Sequence, residues 1–315
     1  MNSDQGYRVL VPLDGSPLAE YALMFLPALS HLANLNIRLV TVIDASQDLA
    51  LHLTEEDHEH EASLIDTYLR EVQTDIGRHL NAPVESKVSA GDASQEILDE
   101  AAQWQPDLLV IATHGRSGLS RWHRGSVADK VIRGAECAVL AIGPKALETG
   151  RWHEAEMVAP FKRILVPLDG SSSSEQALPL ASRFARSFKA EVHLLRVMPF
   201  VPFFQSTTFA DEPSQRILDI EAEGSEYLAG IADSLAGLQP VAHSIVGEPA
   251  SAIYDYIREH DIDLVAMASH GRGGFSRAVL GSVTDKLIGS GPPVLIVRTT
   301  DEDSQANLTT PVGNE

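Results

Sequence analysis

The chain says the same thing twice. RVLVPLDGS at 8–16 returns as RILVPLDGS at 163–171, and DLLVIATHG at 107–115 returns as DLVAMASHG at 263–271. Gly91 has its counterpart in Gly247, and Gly125-Ser126-Val127 in Gly281-Ser282-Val283. The offset is 155 residues at the first motif and 156 at the later ones. Solenoid repeats run to ~20–50 residues, so a period this long means two tandem domains. The 315-residue length agrees, at ~150 residues per domain. The expected division is a first domain over 1–146, a linker over 147–160, a second domain over 161–299, and a disordered tail over 300–315 with little to bury.

Within each copy, short apolar β-branched runs alternate with longer helix-like segments. The runs are RVLVPL, IRLVTVI, VESKVS, DLLVIA and AVLAI, then RILVPL, EVHLLRV, AHSIV, DLVAMA and PVLIV. Continuous apolar runs suit strands buried on both faces of a parallel sheet. The segment 54–80 reads as a helix whose apolar face carries Leu64, Tyr68, Val72, Ile76 and Leu80. Ser16-Pro17 reads as a helix cap followed by proline. The fold class is therefore α/β, with two tandem doubly wound, Rossmann-like sheets flanked by helices.

A net charge of −20 disfavours nucleic acid and anionic membranes as partners, and obliges any site for an anion to gather its cations locally. The single cysteine, Cys137, permits no internal disulfide and points to a reducing compartment. It precedes the apolar run AVLAI, where a small buried residue is expected. The N-terminus lacks the pattern of a secretory signal, and no apolar run nears ~20 residues, so a cytoplasmic location is expected.

The strand DLLVIA leads into a glycine-punctuated stretch that ends at Gly125-Ser126, and the second copy does the same at Gly281-Ser282. One reading is structural: Ser126 with Asp129, and Ser282 with Asp285, have the spacing of a capping box. The other is functional. A helix N-terminus offers unpaired N–H groups and partial positive charge, and Gly115 and Gly125 would let a phosphate approach the backbone. Arg116, Arg124 and Lys130 would supply cations, as would Arg272 and Lys286 beyond Gly271 and Gly281. The turns after the first strands place Asp14 and Asp169 where doubly wound sheets bind ligands. An aspartate there suits a ribose hydroxyl, an adenine amine or a metal, and equally a plain turn.

These residues resemble the universal stress protein family in its tandem two-domain form, over about residues 7–298. The family's ATP-binding members carry G-x2-G-x9-G-(S/T). Here Gly115 with Gly125-Ser126, and Gly271 with Gly281-Ser282, match its last part, while Ala112 and Ala268 stand at the first glycine. The resemblance implies ATP as ligand, with or without Mg²⁺, and slow or absent turnover. It implies contacts from Pro12, Asp14 and Val42, and from Pro167, Asp169 and Val197, to the nucleoside. Phosphate contacts would come from Arg116, Ser126, Val127 and Ala128, and from Arg272, Ser282, Val283 and Thr284. It also implies strand order 3-2-1-4-5, domains paired through their last strands, and further homodimerisation. Trp122-His123-Arg124 replaces the second copy's Ala278-Val279-Leu280, and Ala128 lacks the hydroxyl of Thr284, so the second site is expected to be the better match.

Three other features stand out in the sequence. His52, His58 and His60 among acidic residues suit a metal less well than a solvated helix start. The segment 199–213 holds four phenylalanines and reads as a lid, a contact surface or a strip folded over its own domain. His114 and His270 lack an evident nucleophile partner and suit an orienting hydrogen bond. The alternative function is an interaction or chaperone-like dimer with vestigial sites. An aspartyl phosphatase is excluded, because its nucleophile position is occupied by Pro12 and Pro167.

Overall fold

The structure, a computed structural model, describes residues 6–43, 55–113, 125–143, 161–199, 213–269, 280–288 and 291–299, and the side chains of 55–62 and 213–217 are not among those described. The first half runs β1 (Tyr7–Pro12), a 3-10 turn (Ala19–Phe25), α1 (Leu26–Leu29), β2 (Leu35–Ile43), α2 (Glu55–His79), β3 (Val84–Ala90), α3 (Ala93–Trp104), β4 (Leu108–Ala112), α4 (Ser126–Gly134) and β5 (Ala138–Ile142). The second runs β6 (Arg163–Leu168), α5 (Ser172–Glu175), α6 (Leu178–Phe188), β7 (Glu191–Met198), α7 (Pro213–Ser234), β8 (Val241–Val246), α8 (Pro249–Glu259), β9 (Leu264–Ala268), α9 (Ser282–Leu287) and β10 (Val294–Val297).

Each half is the expected parallel sheet in the order 3-2-1-4-5, and the two join into one ten-stranded sheet, β3-β2-β1-β4-β5-β10-β9-β6-β7-β8. The joint is antiparallel: Ala141 faces Val294, Leu140 faces Leu295 and Val139 faces Ile296. This is the expected pairing of AVLAI with PVLIV. Val139, Leu140, Leu295 and Ile296 are fully buried, as continuous apolar strands between helical layers must be.

The side-chain alternation of β1 divides the interior. Val9 and Val11 enter a core beneath the 3-10 turn, α1, α2, α6 and α7. Leu10 points the other way, into a core with Ile97, Val131 and Ile132 of α3 and α4 and with Ile253 and Leu287 of α8 and α9. Both cores draw on both halves. Phe25 stacks on Phe161 across the joint at 6.0 Å, and Phe161 meets Phe188 at 5.5 Å. Burying one such side chain contributes about 1.5–3 kcal/mol, so the halves are held by much more than three strand pairs. Cys137 is half-buried and its thiol is pushed up to about 11, mainly by burial, as an inert packing residue would be.

One helix face departs from the sequence reading. Leu69, Val72 and Ile76 of α2 and Leu80 just past its end are buried, but Leu64 is 58% exposed. A strict spacing of four advances 40° per step on a 3.6-residue helix, so the stripe walks off the core. Ile65 takes the inward position instead. The linker, the phenylalanine-rich stretch 200–212, His52, His114, His270 and the tail lie outside the described residues, as do the side chains of His58 and His60.

Candidate functional site

The ends of β1, β2 and β4 come level at the carboxyl edge of the first half. Leu10 pairs with Leu109, and Pro12 with Val40. Continuing that register sets Asp14 level with Thr113 and with Val42. Hydrogen bonds from Leu13 N–H to the Val40 carbonyl (2.8 Å) and from Thr113 N–H to the Ile142 carbonyl (2.9 Å) carry the alignment past the strand ends. The second half repeats it. Leu165 pairs with Val265 and Pro167 with Leu195, which sets Asp169 level with Ser269 and Val197. Ordering by strand number, β1 is flanked by β2 on one side and β4 on the other, so this edge is the switch point of each winding.

Asp14 and Asp169 shape their turns. Asp14 Oδ1 accepts the Ser16 N–H at 2.9 Å across Gly15, whose φ of 73° suits glycine. Asp169 Oδ1 accepts the Ser171 N–H at 2.9 Å across Gly170, at φ 82°. The serines then cap: Ser16 Oγ accepts from Ala19 N–H at 3.1 Å, and Ser171 Oγ from Ser174 N–H at 3.1 Å. Ser16 thus makes a cap-like hydrogen bond, but the 3-10 turn begins at Ala19 with Leu18 in the cap position, so Pro17 is not its first residue. Pro12 is buried and Pro167 half-buried, while Val42 and Val197 are half-buried at the rim of one core.

The capping-box reading of Ser126 and Ser282 is corrected. Gly125 caps α4 and Gly281 caps α9, and each serine is the first helical residue. The reason is a closure of the chain on itself. Gly125 N–H donates to the Thr113 carbonyl at 2.9 Å, and Gly281 N–H to the Ser269 carbonyl at 3.1 Å. One hydrogen bond thus ties each cap glycine to the residue that follows the fourth strand of its half. Asp129 and Asp285 are engaged instead with Arg133, each at 2.9 Å.

Neither cap glycine is demanded by its backbone angles or by the described residues around it. Their φ,ψ pairs, −56°,140° and −56°,143°, are open to any residue. Among the described residues, a Cβ on Gly125 would meet only the Thr113 carbonyl oxygen, at 3.7 Å. On Gly281 it would meet Thr284 Oγ1 at 3.6 Å and the Ser269 oxygen at 3.7 Å, both ordinary contacts. Ser126 and Ser282 are exposed, Val127 and Val283 half-buried, and Ala128 and Thr284 buried. Thr284 is only 3% exposed, so its hydroxyl lies beneath the cap. The two lysines beside the caps have partners. Lys130 lies 3.7 Å from Asp92, which caps α3, and Lys286 lies 3.3 Å from Glu248, which caps α8. The Ser251 backbone N–H holds the Glu248 carboxyl down to about 2. Gly115, Arg116, Arg124, Gly271 and Arg272 lie outside the described residues. Sequence reading missed Thr113 and Ser269, which receive the cap glycines. Their signal was a small hydroxyl residue after the fourth strand in both copies.

The sequence profile of the universal stress protein family matches residues 7–143 and again 160–298. The chain belongs to the universal stress protein family. A universal stress protein of Mycobacterium tuberculosis is 25% identical over 312 residues, covering 94% of this chain and 97% of its own. One of Methanocaldococcus jannaschii is 30% identical over 143 residues, 44% of this chain and 82% of its own. The crystal structure of a universal stress protein from Archaeoglobus fulgidus superposes with a TM-score of 0.67 at 20% identity, covering 94% of this chain and 97% of its own. That likeness establishes the fold as the family's. Among the described residues, no helix is long and apolar enough to cross a membrane, and no cluster of His, Cys, Asp or Glu is placed to hold a metal ion.

Proposed function

We propose that this universal stress protein binds an adenine nucleotide, ATP by preference, at the carboxyl edge of each half, and that it acts as a stress-response or signalling module with slow or absent hydrolysis. The observation that carries the reading is the pair of cap glycines. Serine, aspartate or asparagine caps a helix better than glycine. Backbone angles at 125 and 281, and packing against the described residues, would admit any of them. A glycine that neither of these requires leaves its own side of the helix N–H groups without a side chain. A phosphate group fits that space, because the N–H groups and the helix dipole both favour an anion. Val127, and Val283 in the second half, would present backbone N–H groups there, with Ser126 and Ser282 offering exposed hydroxyls.

The nucleoside would lie along the strand ends, between Pro12, Asp14 and Val42, or Pro167, Asp169 and Val197. Asp14 and Asp169 each accept a turn N–H, which fixes the carboxylate where it would meet a ribose hydroxyl or an adenine amine. Lys130 and Lys286 sit on exposed ion pairs worth little, so a polyphosphate can draw them away. Gly115, Arg116, Gly271 and Arg272 complete this reading from the sequence.

Calorimetric titration with ATP, with and without Mg²⁺, tests it on wild type, Gly125→Val and Gly281→Val. Because the backbone tolerates a side chain, the unfolding midpoint should hold while affinity falls by about tenfold or more, most strongly for Gly281→Val. No heat at millimolar ATP, with no nucleotide in the purified protein, overturns the reading and leaves an interaction module. Ala112 and Ala268, at the family motif's first glycine, would then be the marks of lost sites.

A further inference from the structure

The two halves bury different chemistry at one matched place. In the first, Arg38 of β2 donates to Glu100 of α3 at 2.6 Å and to Glu85 of β3 at 2.6 Å. Lys87 of β3 also pairs with Glu100, and the Arg38 guanidinium lies 4.6 Å from the Trp104 ring. Strand register and the repeat offset map these residues onto the second half. Leu10 pairs with Arg38 as Leu165 pairs with His193. Val40 pairs with Lys87 as Leu195 pairs with His243. Glu100 and Trp104 map, 156 residues on, to Tyr256 and His260. Arg, Lys, Glu and Trp have become His, His, Tyr and His.

The substituted cluster is packed ring to ring. Tyr256 lies 4.0 Å from His260, 5.4 Å from His243 and 5.8 Å from His193, between ring centroids. His193 lies 5.6 Å from His260. His193 is 4% exposed, its Nδ1 is 2.9 Å from the Tyr256 hydroxyl, and its Nε2 has no hydrogen-bond partner among the described residues. We infer that this cluster is an acid-sensitive clasp: protonation of His193 loosens α8 from β7 and β8, while the matched helix α3 stays fastened.

The groups facing His193 are Glu191 of its own strand, His243 of β8, and Tyr256 and His260 of α8. Burial opposes its charged form most, and His260 and His243 oppose it further once charged. Only Glu191 favours the charge, from 3.7 Å and half in water. Tyr256 cannot compensate, because burial pushes its hydroxyl up to about 12 and it stays neutral. In the first half the buried partner is a carboxylate, so a cation there is matched. With the native value of His193 below the ordinary one of ~6.5, the opened state takes up more protons on acidification. The clasp's contribution is whole above about pH 6.5 and is lost as pH falls through the native value. Glu248, at the start of α8, also holds Lys286 of α9, so loosening α8 reaches the helix that begins at Gly281.

Hydrogen exchange of the full chain from pH 7.5 to 5, corrected for the intrinsic rate, tests this by comparing residues 249–259 with 93–104. The expected result is protection of α8 falling below pH 6.5 by up to about tenfold per pH unit, with α3 flat, and the effect abolished by His193→Gln and by His193→Arg with Tyr256→Glu. Parallel loss in both helices, or an α8 response that survives in a folded His193→Gln, overturns the inference. If the variants do not fold, titration of the wild-type imidazoles by NMR decides: a His193 midpoint at or above 6.5 overturns it, and one well below supports it.

Discussion

The halves share a register, a strand order and a cap glycine, yet they differ beneath α3 and α8. The first half solves its buried polar position with permanent charge. The second solves it with packed rings. Glu100 is only 2% exposed and would resist ionisation through burial, but bonds from Lys87 and Arg38 outweigh this and hold its carboxyl low. His193, equally hidden, has a hydroxyl where Glu100's carboxylate would be. The difference teaches that a duplicated fold fixes where a polar group is buried, and not which kind.

The largest effect should come from breaking the charged version. Glu100→Gln leaves two cations beside a neutral amide and is expected to cost about 3 kcal/mol, the low end for a buried pair because Arg38 and Lys87 reach water. Tyr256→Phe, at the matched position, removes one hydrogen bond between neutral groups and should cost about 1 kcal/mol. Urea unfolding of both variants measures the gap. Equal costs would mean that the two clusters are held by packing and that charge is incidental.

The long helices sharpen the comparison at backbone level. Gly224 of α7 is pressed against β8: a Cβ there would come within 1.9 Å of Ser244 Oγ and 2.8 Å of its Cβ. Gly224→Ala is therefore expected to destabilise by about 1–3 kcal/mol through overpacking. Gly77 of α2 has nothing among the described residues within 4 Å of the same atom, so Gly77→Ala should stabilise by about 1 kcal/mol from helix propensity alone. Thermal unfolding would separate the signs, and a stabilising Gly224→Ala would mean that α7 does not seat on the sheet at this point.

Much of this was legible in the chain. The repeat and the strand runs specify two doubly wound parallel sheets; the family resemblance adds the 3-2-1-4-5 order and the pairing of AVLAI with PVLIV, and both are present. What was not legible lay in long-range hydrogen bonds and drift. Ser126 looked like a cap because Ser-x-x-Asp is a local pattern, but the bond that decides the cap runs from Gly125 back to Thr113. Leu64 looked inward because the step from four to 3.6 is invisible over one turn and decisive over four. The histidine cluster was invisible because its members come from β7, β8 and α8. Setting the two copies side by side along the strand register would have exposed it, since Arg38, Lys87 and Glu100 change together.

The smallest effect tests how the halves address one another. Arg133 of α4 reaches Asp129 one turn back and Asp285 of α9 across the joint, each at 2.9 Å. The aligned position in the second repeat is Gly289, so no arginine is available to return the contact. Arg298 answers differently, donating to the Ile132 carbonyl near the end of α4. Arg133 is 29% exposed and Asp285 42%, so the cross-joint pair competes with water. Arg133→Ala should therefore cost no more than about 1 kcal/mol, and the cost should shrink as salt is raised. A greater or salt-independent loss would mean that Arg133 acts through the packing of its stem, as long basic side chains often do. In that case α4 and α9, the two helices that begin at the cap glycines, would be joined mechanically, and a change at Gly125 would be felt at Gly281.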